Sequence, residues 1–258
     1  MIPLAIFNIK GNVDKTMLTI NLGFELSNLS YRTIFTDLDP RNTLTQGLGI
    51  NPFSLKGIEF LLTKDMAFNQ ILMKYSNDLH ILPSGSKLKD LAYSLEAYLE
   101  KYANFGYSLL ENALKDLNLD YDFLLIDCPS DDGILSLNAL KYVRNVIIPV
   151  SCQNEGFLGL KETIPFIELV QEKYNPDLKI LEIVPMMFNE GSDQAEKIFE
   201  DIKDSFPKLL SDTLITISSG IIETTDHVKT IFEYNLKSLV TGNFKNLALE
   251  IIDRLQIY

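Results

Sequence analysis

Cysteine is scarce in this chain. Among 258 residues only Cys128 and Cys152 occur, and histidine is limited to His80 and His227. Their spacing gives neither a disulfide framework nor a zinc centre. Two lone thiols fit a reducing compartment, so a cytoplasmic location is expected. Positive charge is scarce too. Lys and Arg number 23 against 35 Asp and Glu, a net charge of -12. Broad charge-driven binding to nucleic acid or anionic lipid needs clustered cations, so the balance argues against both. No apolar run approaches the ~20 residues of a membrane-spanning helix. The opening "MIPLAIFNIKG" lacks a positive segment followed by a long apolar one, and is read as no secretion signal. No Pro/Gly/Ser-rich linker, charge block or internal repeat divides the sequence. A single domain over residues 1–258 is expected.

What is present is a core-forming pattern. Hydrophobic residues make up 46% and charged residues 22%, the balance of an ordinary folded domain. Short apolar runs alternate with longer helix-period stretches. "PLAIF" (3–7), "RTIFTDLD" (32–39), "DLHILPSG" (78–85), "YDFLLIDCP" (121–129), "NVIIPVS" (145–151) and "KILEIVPMMF" (179–188) read as strands, with "TLITIS" (213–218) a weaker candidate. The stretch from residue 14 reads as a helix with Leu18, Leu22, Leu26 and Leu29 on one stripe. Residues 86–117 read as largely helical, and "NFKNLALEIIDRL" (243–255) as an amphipathic helix that docks on the protein itself. Continuous apolar strands between helices predict an α/β fold, a mostly parallel sheet with helices on both faces. Ligands in such folds bind beyond the carboxyl ends of the strands. Lys10 to Thr16, Asp37, Asp39 and Asp127 all fall there.

Residues 8–17, "NIKGNVDKTM", stand where a phosphate-binding loop stands, between a strand and a helix. Such a loop aims backbone N–H groups and a helix N-terminus at an anion. A lysine then neutralises phosphate charge and a Ser or Thr hydroxyl binds Mg²⁺. Lys15 and Thr16 supply that pair. Asp127 could hold a magnesium-bound water and Asp39 could orient an attacking water. Read alone, Asp37, Asp39 and Asp127 could equally be turn formers, since Pro40 and Pro129 follow.

At this point the chain resembles the ParA/MinD family of deviant Walker P-loop ATPases, which partition plasmids and chromosomes or place division sites. The family's loop reads KGGVGKTT, against "KGNVDKTM" here. Its D-x-D-P-Q-G-N-x-T meets "DLDPRNTLT", and its Y-D-x-x-x-x-D-C-P-P-S, L-N-A-L and I-P-V-x-C meet "YDFLLIDCPS", "LNAL" and "IPVSC". The partition branch is the more similar one. The resemblance implies a P-loop NTPase fold, ATP and Mg²⁺ as ligands, a homodimer and a partner protein of the partition type. It implies that Lys10 is the signature lysine that reaches a partner's phosphates across a nucleotide-sandwich dimer. It implies that Gly11, Lys15, Thr16 and Met17 line the phosphates, that Thr16 and Asp127 serve the metal, and that Asp39 positions water. Asn189 falls where the family contacts adenine.

The departures are local. Asn12 and Asp14 replace two loop glycines. Asn12 tolerates a positive φ. Asp14 adds bulk and negative charge beside a phosphate, so weak or absent ATP hydrolysis is expected, with function carried by partner binding; an active ATP-driven switch is the alternative. Asp14 is expected to pair with Lys10 or Lys15. In the family's basic stretch "ISSGIIETTD" (217–226) places Ser219 and Ile222 in arginine slots, which argues against non-specific DNA binding.

Overall fold

A computed structural model describes residues 1–99, 108–115, 121–153, 156–216 and 239–257. Seven strands form one sheet: β1 (Ile2–Ile6), β2 (Thr33–Asp37), β3 (Met73–Lys74), β4 (Leu79–Leu82), β5 (Phe123–Asp127), β6 (Asn145–Ser151) and β7 (Lys179–Met186). Their spatial order is β3-β4-β2-β5-β1-β6-β7. All neighbours are parallel except the short edge strand β3, which runs antiparallel to β4. The expected mostly parallel α/β sheet is the fold observed.

Burial on both faces explains the apolar runs. Along β5, Phe123 and Leu125 join one core cluster while Leu124 and Ile126 join the other. Leu4 and Ile6 on β1 divide from Ala5 and Phe7 in the same way. One face is covered by α1 (Lys15–Asn28) and α10 (Leu239–Arg254). The other is covered by α3 (Ile58–Leu62), α5 (Leu88–Leu99), α6 (Leu109–Leu114), α7 (Ile134–Tyr142) and α8 (Gly156–Lys173). Short α2 (Thr43–Gly47) and α4 (Phe68–Ile71), and α9 (Asp193–Ser205) after β7, complete the described α-helices, with a 3-10 turn at Pro52–Ser54. The tail helix docks as expected. Phe244, Leu247, Ala248 and Ile251 are buried against α1. Among the described residues no helix is long and apolar enough to cross a membrane.

Two details differ from the sequence expectation. Within "TLITIS" the described residues 213–216 form no strand; Thr216 makes one isolated bridge, to Phe188 after β7, and residues 217–218 lie outside the described ones. The helical stretch from residue 86 is described only as α5 and α6. Ser219, Ile222 and His227 also lie outside the described residues.

The central strands end level. Ile6 and Asp37 both pair with Asp127 in register, so the chain leaves the sheet at one common edge. Helix α1 approaches that sheet closely because residue 23 is glycine. A Cβ there would overlap Cε1 and Cζ of the Phe35 ring and lie 3.1 Å from Leu125 Cδ1. Replacing Gly23 by Ala should therefore destabilise the fold by about 1–3 kcal/mol through overpacking. Urea unfolding measures this, and an unchanged midpoint would contradict the packing.

Candidate functional site

The turn from β1 to α1 has a defined backbone. Asn12 and Asp14 adopt φ of 56° and 62°, in the left-handed region. Asn42, at the glycine position of the D-x-D-P-Q-G-N-x-T pattern, adopts 58°. Glycine takes this conformation freely, and Asn and Asp are the side chains that tolerate it best. Three glycine positions have thus changed residue while keeping a glycine-like backbone. Asp14 is the N-cap of α1, yet its carboxylate accepts no capping hydrogen bond. The half-buried carboxyl is raised above its ordinary pKa by loss of hydration, with the Lys15 charge opposing.

Two distant residues anchor the start of the loop. Asn8 Nδ2 donates to Pro149 O at 2.9 Å, and Asn8 Oδ1 accepts from Lys10 N (2.8 Å) and Thr163 Oγ1 (2.9 Å). Ile9 N donates to Thr163 Oγ1 at 3.1 Å. Helix α8 can lie this close because residue 159 is glycine; a Cβ there would sit 2.9 Å from Lys10 Cβ.

Lys15 and Thr16 open α1 and face the end of β5. Lys15 Nζ donates to Asn8 O (2.9 Å), Lys10 O (3.1 Å) and Ser130 Oγ (2.6 Å). Of the two lysines expected to pair with Asp14, Lys15 does not: two loop carbonyls and a hydroxyl take its ammonium. Thr16 Oγ1 donates to Asp127 Oδ2 at 2.7 Å, and Thr19 Oγ1 lies 3.5 Å from Asp127 Oδ1. Burial pushes Asp127 up to about 8, with the Asp37 charge adding to the shift. A buried carboxylate among carboxylates, already touching a hydroxyl, is a donor set that a divalent cation suits. Thr16 and Asp127 would hold such an ion.

The turn after β2 forms the opposite wall. Asp37 is buried and accepts from Thr45 N (2.9 Å), Thr45 Oγ1 (2.6 Å), Ser84 Oγ (2.7 Å) and Asp39 N (3.1 Å). Burial nonetheless raises it to about 6. Asp37 ties β2 to α2 and to the end of β4, which fixes the turn carrying Asp39. Asp39 is clamped by Arg41: Nη2 reaches Oδ2 at 2.6 Å, and Nε reaches Oδ1 and Oδ2 at 3.1 and 3.0 Å. Arg41 Nη2 also donates to Ser130 Oγ at 3.0 Å. Ser130 thus accepts from both Lys15 and Arg41.

The structure brings together Lys15, Thr16, Asp127 and Asp39, with Lys10 contributing its carbonyl. Gly11 faces the same point, its nearest neighbour for an added Cβ being Ser130 Oγ at 4.0 Å. Met17 instead packs on the core cluster beneath α1. Asn189 is exposed beyond β7, two strands from β1, and joins none of these contacts. Asn8, Thr163, Ser130 and Arg41 were not among the site residues read from the sequence. The cysteines are buried small groups, as expected, with the Cys152 thiol pushed up to about 12 by burial.

A phosphate loop at the carboxyl edge of a doubly covered parallel sheet, with a lysine, a threonine and a strand-end aspartate converging, defines a P-loop NTPase fold. A family profile described as an AAA domain matches residues 1–180. The chromosome partitioning protein ParA of Myxococcus xanthus is 31% identical over 97% of this chain and 88% of its own length. The sporulation initiation inhibitor protein Soj of Bacillus subtilis is 28% identical over 96% of this chain and 97% of its own. Cobyrinic acid a,c-diamide synthase from Mycobacterium smegmatis, solved with an ATP analogue and magnesium, superposes with a TM-score of 0.84. It is 26% identical, and the match covers 100% of this chain and 96% of that one. The chain belongs to the ParA/MinD family.

Proposed function

We propose that the chain is a ParA-type partition protein whose ATP–Mg²⁺ site acts as a switch, weakened in affinity by Asp14. The observation that carries the reading is the Lys15–Ser130 and Thr16–Asp127 contact pair under a loop that keeps its left-handed turns at Asn12 and Asp14. Bound ATP–Mg²⁺ would supply a phosphoanhydride and a Lewis acid. Lys15 and the loop amides from Gly11 onward would bind phosphate. Thr16 and Asp127 would hold the metal, Asp39 would orient water, and Lys10 would reach a second copy's nucleotide in a homodimer. Met17 would act through helix packing rather than contact, and Asn189 would need the adenine to lie out toward β7. This reading includes a partner protein of the partition type and a cytoplasmic location; a relative named for chromosome partitioning supports the partition role. The acidic balance, with Ser219 and Ile222 in the arginine slots, argues against non-specific DNA binding.

A second reading, a pseudo-ATPase that works by partner binding alone, is favoured by the half-buried Asp14 carboxyl beside the phosphate seat. Calorimetry with ATP–Mg²⁺ separates the two. The switch reading expects measurable binding that falls at least about a hundredfold in Lys15→Ala, the loss of a charge-assisted phosphate contact worth roughly 3 kcal/mol. A parent chain that takes up no ATP at millimolar concentration would leave the scaffold reading.

A further inference from the structure

Arg41 is a cation placed inside the site where the D-x-D-P-Q-G-N-x-T pattern has a neutral glutamine. Its guanidinium does two things at once. It covers Asp39 with a bidentate pair, leaving that side chain 3% exposed while the arginine itself remains 59% exposed. It also shares the Ser130 hydroxyl with Lys15 Nζ, at 3.0 and 2.6 Å. Two cations converging on one acceptor oxygen reproduce the donor arrangement that a phosphate oxygen takes. Asp14 in place of Gly adds one negative charge to the site, and Arg41 in place of Gln adds one positive charge.

We infer that Arg41 is a phosphate-contacting residue that also holds Asp39 in reserve. The guanidinium is paired with Asp39, so the carboxylate proposed to orient water is occupied. When a triphosphate enters, its terminal group competes for the same fork, draws Arg41 across beside Lys15 and releases Asp39. Asp39 and the terminal phosphate are thus rivals for one cation. A diphosphate, one phosphoryl shorter, competes less well. The inference rests on the nucleotide-site reading above.

The test compares binding of ATPγS–Mg²⁺ and ADP–Mg²⁺ to the full chain by calorimetry. Arg41→Gln should lose about tenfold in ATPγS affinity and stay within about twofold for ADP. Arg41→Lys should recover part of the loss, since it keeps the charge and not the fork. Asp39→Asn removes the rival and should raise ATPγS affinity several-fold with Arg41 present, and not with Gln at position 41. Arg41 is largely exposed, so its variants should keep the parent melting temperature within a few degrees. Equal ATPγS affinity in Arg41→Gln, equal losses for both nucleotides, or an Asp39→Asn effect independent of position 41 would each overturn the role of Arg41. A parent chain that binds neither nucleotide would overturn the nucleotide reading itself, and this role with it.

Discussion

The double variant Asn12→Gly with Asp14→Gly is expected to bind ATP–Mg²⁺ at least about tenfold more tightly than the parent chain. Both residues occupy left-handed backbone, which glycine adopts without a steric penalty, so the exchange keeps the loop's shape. What changes is charge and bulk at position 14. A carboxylate ~4 Å from a phosphate oxygen repels it by roughly 4 kcal/mol at an effective dielectric of about 20. The Lys15 ammonium contacts two carbonyls and Ser130 rather than Asp14. Water and Arg41 reduce the repulsion, so an order of magnitude in affinity is a conservative expectation. Asp14→Asn should recover only part, since it removes charge and keeps volume.

The pH dependence has a definite sign. Asp14 already sits above its ordinary pKa through desolvation, and an arriving anion raises it further. Through this group binding is linked to proton uptake, so parent affinity should rise as pH falls toward the carboxyl's range. Asp14→Asn should lack that share of the slope, while the titration of ATP itself remains in both proteins. Isothermal titrations at several pH values in buffers of different ionisation heat measure this proton uptake. Equal affinity in the double glycine variant, or identical slopes in the parent and Asp14→Asn, would clear Asp14 of blame.

Strand positions were legible because burial on both faces writes itself as unbroken apolar runs, as in Phe123 to Ile126. The site's carboxyl edge was legible because Asp37 and Asp127 close such runs. Strand β3 left no signal, being two exposed residues whose pairing with β4 depends on the turn between them. "TLITIS" has strand composition, yet its described residues make a single bridge, Thr216 to Phe188. In the site, Lys15, Thr16 and Asp127 carry their chemistry in their identity and order. Asn8 does not: its partner Thr163 is 155 residues away, and neither residue is unusual in its place. Arg41 was visible as a charge in "DLDPRN". Its meaning comes from Ser130, 89 residues later, which only the fold supplies. Of the two lysines expected to pair with Asp14, Lys15 does not, because Asn8 O, Lys10 O and Ser130 Oγ take its ammonium, and the first two are set by the backbone path of the loop.

Away from the nucleotide edge, Glu182→Gln is expected to stabilise the fold by about 1–3 kcal/mol near pH 8–9 and by much less near pH 5. Glu182 is fully buried in β7, where the register with β6 slips by one residue between Val146 and Ile147. Its Oε2 lies 3.1 Å from Arg254 Nε, yet neither carboxylate oxygen accepts a hydrogen bond. The well-made contacts belong to Glu250, which accepts from Ser211 Oγ (2.9 Å), Asp212 N (2.9 Å) and Arg254 Nη2 (3.0 Å). Arg254 is thus shared, and Glu182 is the poorer partner. Burial, with the Glu250 charge nearby, pushes Glu182 from 4.5 up to about 8. A raised folded-state pKa means the folded chain holds a proton that the unfolded chain has lost. Stability from this group is complete below about pH 4.5 and falls as pH climbs through about 8. Glutamine cannot ionise, so the variant should lose this part of the decline while Arg254 keeps Glu250. Asp37 and Asp127, raised to about 6 and about 8, add a similar decline to both proteins. The informative quantity is therefore the difference between the two unfolding curves, read from urea denaturation at pH 5, 7 and 9. A difference that stays constant across those three values would show that Glu182 remains ionised in the fold and that Arg254 stabilises it fully.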